Sequence, residues 1–139
     1  MANSNKNIIK EIAENLDCGF NCYYNPNRNE IVTIPNFSHI SDEEEFKEII
    51  LAGLEKVNKQ KADFVKFEVL ESFDTFKIME RFVEKITDQQ FKSELEDILQ
   101  KKKPFQNFKY LIDNSDYRQK WFDFKQRELE RIVENQLNH

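Results

Sequence analysis

Residues 20–36, FNCYYNPNRNEIVTIPN, break the helical periodicity that governs the rest of the chain, so an all-helical fold does not fit. Two β-prone runs flank Asn25-Pro26-Asn27-Arg28-Asn29, whose Asn and Pro residues suit the backbone angles of a turn. The stretch predicts a β-hairpin closed by Pro35 and Asn36. Upstream, Ile8, Ile9, Ile12, Ala13 and Leu16 recur at helical spacing and predict a short amphipathic helix over residues 5–16, ended near Gly19. Downstream, DFVKFEVLES alternates Val65, Phe67 and Val69 inward with Lys66 and Glu68 outward, the pattern of a half-buried strand that adds to the hairpin as a third.

Between hairpin and strand, Ser41-Asp42-Glu43-Glu44 has the Ser-x-x-Glu form of a capping box, and Phe46, Ile49, Ile50, Gly53, Leu54 and Val57 continue on one helical face to about Lys59. Beyond residue 72 every pattern is helical. Phe76, Met79, Phe82, Val83 and Ile86 form one stripe, and Phe91, Leu95, Ile98 and Leu99 form the next, behind a second capping box at Thr87-Asp88-Gln89-Gln90. Pro104 suits the first turn of a further helix, where its missing amide is not needed. A long last helix carries Trp121, Phe122, Leu129, Ile132, Val133 and Leu137. The fold class expected is α+β: a small antiparallel sheet (hairpin plus one strand) with an N-terminal helix, packed on a helical C-terminal half. At 139 residues the chain is read as a single domain, residues 1–72 forming the α/β part and 73–139 the helical part. Its 13 Phe make an adequate core even with 34% charged residues.

Most kinds of chemistry lack the residues they need. Cys18 and Cys22 are spaced Cys-x-x-x-Cys with no second ligand pair, and His39 and His139 complete no site, so the expectation is packed or idle thiols, no metal and no cofactor. Nucleophilic catalysis needs a base beside the nucleophile and a group to orient it, and the surroundings of His39 read as a loop entering a helix cap. The only glycines, Gly19 and Gly53, are far apart and make no phosphate-cradling loop. MANSNKNIIKEIAENL lacks the layout of a signal peptide, and no apolar run approaches the roughly 20 residues of a membrane-spanning helix. The chain is accordingly expected to be cytoplasmic with reduced thiols, and away from membranes.

Charge is the one uneven feature. Residues 100–131 hold nine basic and five acidic side chains, whereas residues 41–99 hold nine basic and sixteen acidic ones. An anionic partner and an attraction between the two halves both account for this. The stretch KKKPFQNFKY concentrates it, but a helix beginning at Pro104 puts Phe105, Phe108, Leu111 and Ile112 on one core stripe, and rings committed to a core do not stack on bases. Lys101 to Lys103 would then fall in the last turn of the preceding helix, where cations favour the carbonyl end of the dipole. The leading functional expectation is a non-enzymatic cytoplasmic binding or regulatory module that meets an unknown protein or anionic partner at Lys101, Lys102, Lys103, Lys109 and Arg118. The alternative is nucleic-acid binding through the same basic end. An enzyme using carboxylates around Glu80 and Arg81 is the weakest reading, and no oligomeric state follows from the sequence.

The order Phe-x-x-Met-Glu-Arg-Phe-Val at 76–83, then Phe91 and Leu95, then Phe105-x-x-Phe108-Lys109, then Trp121-Phe122-x-Phe124 resembles the bacterial proteins of uncharacterised protein family 0158. The hairpin ending in EIVTI is similar to that family's N-terminal part. The resemblance spans most of the chain, rests on aromatic core positions and implies a fold without implying a function. Where the family commonly reads Gly-Arg-Gly-Ala-Phe-Arg-Arg-Phe-Lys, this chain has Lys101-Lys102-Lys103-Pro104-Phe105-Gln106-Asn107-Phe108-Lys109, without both glycines and the two arginines between the rings. Gln and Asn do not replace the planar, bidentate contacts of Arg.

Overall fold

The computed structural model describes residues 2–36, 43–59 and 61–138, without the side chains of residues 2–5 and 43–50. The elements are α1 (Ala2–Asp17), β1 (Phe20–Asn25), β2 (Glu30–Pro35), α2 (Glu43–Lys59), β3 (Val65–Phe67), α3 (Ser72–Glu84), α4 (Gln89–Leu99), α5 (Pro104–Asp113) and α6 (Arg118–Leu137). This is an α+β protein, with a three-stranded antiparallel sheet among the described residues. Its residues divide into two compact units, Met1–Val69 with Leu129–His139, and Leu70–Glu128.

In the first unit, α1 buries Ile9, Ile12, Ala13 and Leu16, the face that the spacing predicts. Gly19 stops the helix with φ at 92°, a backbone region that costs glycine nothing, and its carbonyl then accepts from the Asn36 amide at 2.9 Å. The hairpin pairs Phe20 with Pro35 through to Asn25 with Glu30. Its turn is set by Asn25, whose buried Oδ1 accepts from the amides of Asn27 (3.0 Å) and Arg28 (3.3 Å). Strand order is β2-β1-β3, so Pro35 falls on an edge strand, where a missing donor is tolerated.

Two details of this unit differ from the sequence expectation. β3 stops at Phe67, short of Val69, because the Val69 amide donates to the Asn21 side chain at 2.9 Å. On α2, Leu54 is 37% exposed although it was expected on the inward stripe. The helix meets β2 through Gly53, where a Cβ would stand only 3.1 Å from Ile34 Cγ1, and Val57 is buried one turn later. That close line turns Leu54, about 100° further round the helix, out of the core. Ser41 of the expected capping box, together with His39 and His139, lies outside the described residues.

The core of the second unit is aromatic. Ile78, Met79, Phe82, Val83, Ile86, Leu95, Phe108, Ile112, Trp121 and Phe124 form one buried cluster. Trp121 meets Phe82 and Phe108 edge-on, with ring centroids 5.3 and 5.0 Å away, the geometry favoured by aromatic quadrupoles. Phe124, one turn along from Trp121, takes the inward place that was expected of Phe122, which is 39% exposed. The buried line continues to Glu128, whose carboxylate meets Arg81 at 3.4 Å and ties α6 to α3.

The cap of α4 is one residue later than its sequence suggests. Asp88, not Thr87, is the N-cap, and its Oδ1 accepts from the amides of Gln90 (3.1 Å) and Phe91 (3.2 Å). A carboxylate at this position also complements the positive end of the helix dipole, an advantage over the Thr hydroxyl. Asp88→Ala is expected to destabilise the protein by about 1 kcal/mol, while Thr87→Ala stays within about 0.5 kcal/mol. Trp121→Ala opens the centre of the aromatic cluster and is expected to cost about 3 to 5 kcal/mol. Urea unfolding followed by far-ultraviolet circular dichroism measures all three.

Candidate functional site

The basic residues singled out by the sequence lie in the second unit, on the α4–α5 turn, on α5 and at the first residue of α6. α4 ends at Leu99 with Gln100 as its C-cap, so Lys101 to Lys103 lie beyond the helix rather than in its last turn. The helix closes as the Gln100 amide donates to the Asp97 carbonyl at 3.1 Å and the Lys101 amide to the Ile98 carbonyl at 3.2 Å, which leaves only three residues to reverse the chain before Pro104. Pro104 disfavours the right-handed helical region for the residue before it, and Lys103 turns the chain with φ 55° and ψ 52°. A side chain in this left-handed region costs roughly 1 kcal/mol that glycine avoids. This is the position where the resembling sequences read Gly.

The five predicted site residues fall into two groups. Lys101 pairs with Asp97 at 2.7 Å, and Arg118 pairs with Asp113 at 3.6 Å while lying 5.0 Å over the Phe122 ring. Lys102, Lys103 and Lys109 are exposed and take part in no ion pair or cation–ring contact among the described residues. Only backbone roles engage the first two: the Lys102 carbonyl accepts from Asn107 Nδ2 at 3.2 Å, and the Lys103 carbonyl accepts from the Asn107 amide at 3.1 Å. No side chain caps the start of α5.

Sequence reasoning missed the rings beside these lysines. Phe108 and Ile112 are buried as expected, but Phe105 is 40% exposed and meets Phe76 edge-on at 6.2 Å. Tyr110 is 71% exposed. A helical wheel carries the signal that finds them: with Phe108, Leu111 and Ile112 inward, Tyr110 points to the opposite side and Phe105 stands on the shoulder of the stripe. The earlier stripe placed Phe105 inward because i, i+3 spacing from Phe108 satisfies the pattern; at a helix start, however, fewer turns surround it.

Among the described residues no three His, Cys, Asp or Glu side chains group as a metal site requires. Arg81 is engaged by Glu128, and Glu80 and Glu84 are exposed on α3. Cys18 is exposed and Cys22 is buried on β1, its Sγ 3.9 Å from the Ile12 carbonyl oxygen. Burial, helped by the Glu11 carboxylate, pushes the Cys22 thiol up from 9.0 to about 12. The folded state favours the neutral thiol, so the stability held by Cys22 is complete below about pH 9 and is lost as pH rises toward 12, because the unfolded chain ionises first. The gap in unfolding free energy between the native chain and Cys22→Ala should therefore shrink from pH 8.5 to pH 11 in urea titrations. A thiol reagent at pH 8 should label Cys18 at once and Cys22 only on unfolding.

No curated protein and no solved structure matches the chain. The model of the Uncharacterised protein family (UPF0158) matches residues 5–138, taking in the hairpin, the aromatic cluster and the basic turn alike, and the protein belongs to that family.

Proposed function

We propose that the protein is a binding or regulatory module of the bacterial cytoplasm, without catalysis of its own, that engages an anionic partner through the α4–α5 turn and the exposed side of α5. One observation carries this reading: Lys102, Lys103 and Lys109 stand exposed without an ion pair among the described residues, although the cations flanking them, Lys101 and Arg118, each have a carboxylate. From Ile98 to Ile112 the chain has four lysines and no acid. Surfaces that serve only solubility usually intersperse the two signs. Lys103 supports the reading a second time, since the backbone there is strained for any side chain and relaxed for glycine.

The non-enzymatic part of the proposal rests on the sequence, which supplies no nucleophile with its base and orienting group. Cytoplasmic placement rests on the two free cysteines and on the finding that no helix among the described residues is long and apolar enough to cross a membrane.

Charge reversal tests the surface. The triple variant Lys102→Glu, Lys103→Glu, Lys109→Glu is expected to lose retention on a heparin column while its circular dichroism and melting temperature stay those of the native chain. Retention equal to the native chain overturns the assignment. Lys103→Gly separates charge from strain: stability should rise by up to about 1 kcal/mol while retention falls.

A further inference from the structure

Phe105 and Tyr110 turn the lysine surface from a general anion site into one with a defined ligand. Tyr110 leaves most of its ring in water, and Phe105 leaves part of its ring exposed beside Phe76, although burying such surface is favourable at about 25 cal/mol per Å². They stand five positions apart on α5, which places them about 7.5 Å apart along the axis at 1.5 Å per residue. Lys109 stands one turn beyond Phe105 and immediately before Tyr110, and Lys102 and Lys103 precede Phe105 at the turn. The contact with Phe76 fixes the Phe105 ring. Tyr110 has no ring or cation contact among the described residues. The acid nearest in sequence, Asp113, is already engaged by Arg118 at 3.6 Å, so it opposes an incoming phosphate less than a free carboxylate would.

We infer that the anionic partner is single-stranded nucleic acid, with bases stacked on Phe105 and Tyr110 and the backbone neutralised by Lys102, Lys103 and Lys109. This rests on the anionic-partner reading above and names its ligand. Rings interleaved with cations suit unpaired bases, because every base has a stacking face and every linkage a charge. A duplex has its base faces occupied and offers the rings nothing. An acidic peptide would use the lysines and leave the rings idle, and the exposed side of α5, with Gln106, Lys109 and Tyr110 on it, has no aliphatic patch for a peptide's apolar side chains.

Fluorescence anisotropy with the full chain at 50 mM salt tests this, using labelled 12-nucleotide oligo-U and oligo-dT, a 12-base-pair duplex and labelled polyglutamate. The expected result is binding to both single strands, weaker binding to the duplex, and a plot of log affinity against log salt with slope about −2, from roughly 0.7 per neutralised phosphate over three contacts. Tyr110→Leu, at an exposed position where the fold is not at stake, should weaken single-strand binding roughly 5- to 100-fold, and Phe105→Leu similarly. Single-strand affinity unchanged in both leucine variants overturns the stacking inference and leaves the anionic-partner reading in place. Binding of polyglutamate without binding of either oligonucleotide also overturns the inference alone. Binding of none of the four probes overturns both.

Discussion

The contact of Trp121 with Phe82 and Phe108 is the constraint on which the second unit depends. Three rings from α6, α3 and α5 meet there edge-on, at centroid distances of 5.3 and 5.0 Å, and Phe124 adds a fourth at 5.4 Å from Phe82. Once Phe108 is held inward, the rotation of α5 about its axis is no longer free: Ile112 follows inward one turn later, and Lys109 and Tyr110 must face out. The chemistry of the proposed surface is thus decided by packing on the other side of the same helix. Any change that lets α5 roll would exchange a core ring for a surface one and alter both stability and surface together.

The connection between α4 and α5 works under a second constraint. Gln100 closes one helix and Pro104 opens the next, so the reversal falls on three lysines, the last of them in the left-handed region. Glycine would take that conformation without strain, and a lysine there adds a charge at the cost of conformational energy. Exposed cations so close together also repel one another, and an anion bound among them relieves that repulsion.

Most of the architecture was legible from periodicity. Ile9, Ile12, Ala13 and Leu16 marked α1, the alternation around Phe67 marked β3, and Asn25 through Asn29 marked the turn. What failed were single positions decided by tertiary packing or by competing local hydrogen bonds. Leu54 lost its inward place to Gly53, whose lack of a side chain lets α2 approach Ile34. Phe122 and Phe124 are both aromatic and two residues apart, so composition does not choose between them; only the placement of Trp121 against Phe82 does. Asp88 took the cap from Thr87 because both can cap and the carboxylate does it better. The lysines of the site were readable as charge, but which of them are neutralised was not, since Asp97 and Asp113 become partners only when the helices bring them within reach.

Those two pairs would also shape how the proposed surface meets an anion. Both are exposed, and exposed pairs contribute little to stability, typically 0 to about 1 kcal/mol. A phosphate arriving at Lys102 or Lys109 competes with a carboxylate for Lys101 or Arg118 on nearly equal terms. On the proposed reading the surface holds three cations ready and two more that a sufficiently dense polyanion would recruit at small cost. A single carboxylate does not supply that density, whereas a polyanion such as a nucleic-acid strand repeats its charge along its length. Rings add a short-range attraction that salt does not screen, while the lysines act over the Debye length of about 8 Å at physiological ionic strength. Charge would then govern how fast a strand arrives, and stacking on Phe105 and Tyr110 how long it stays.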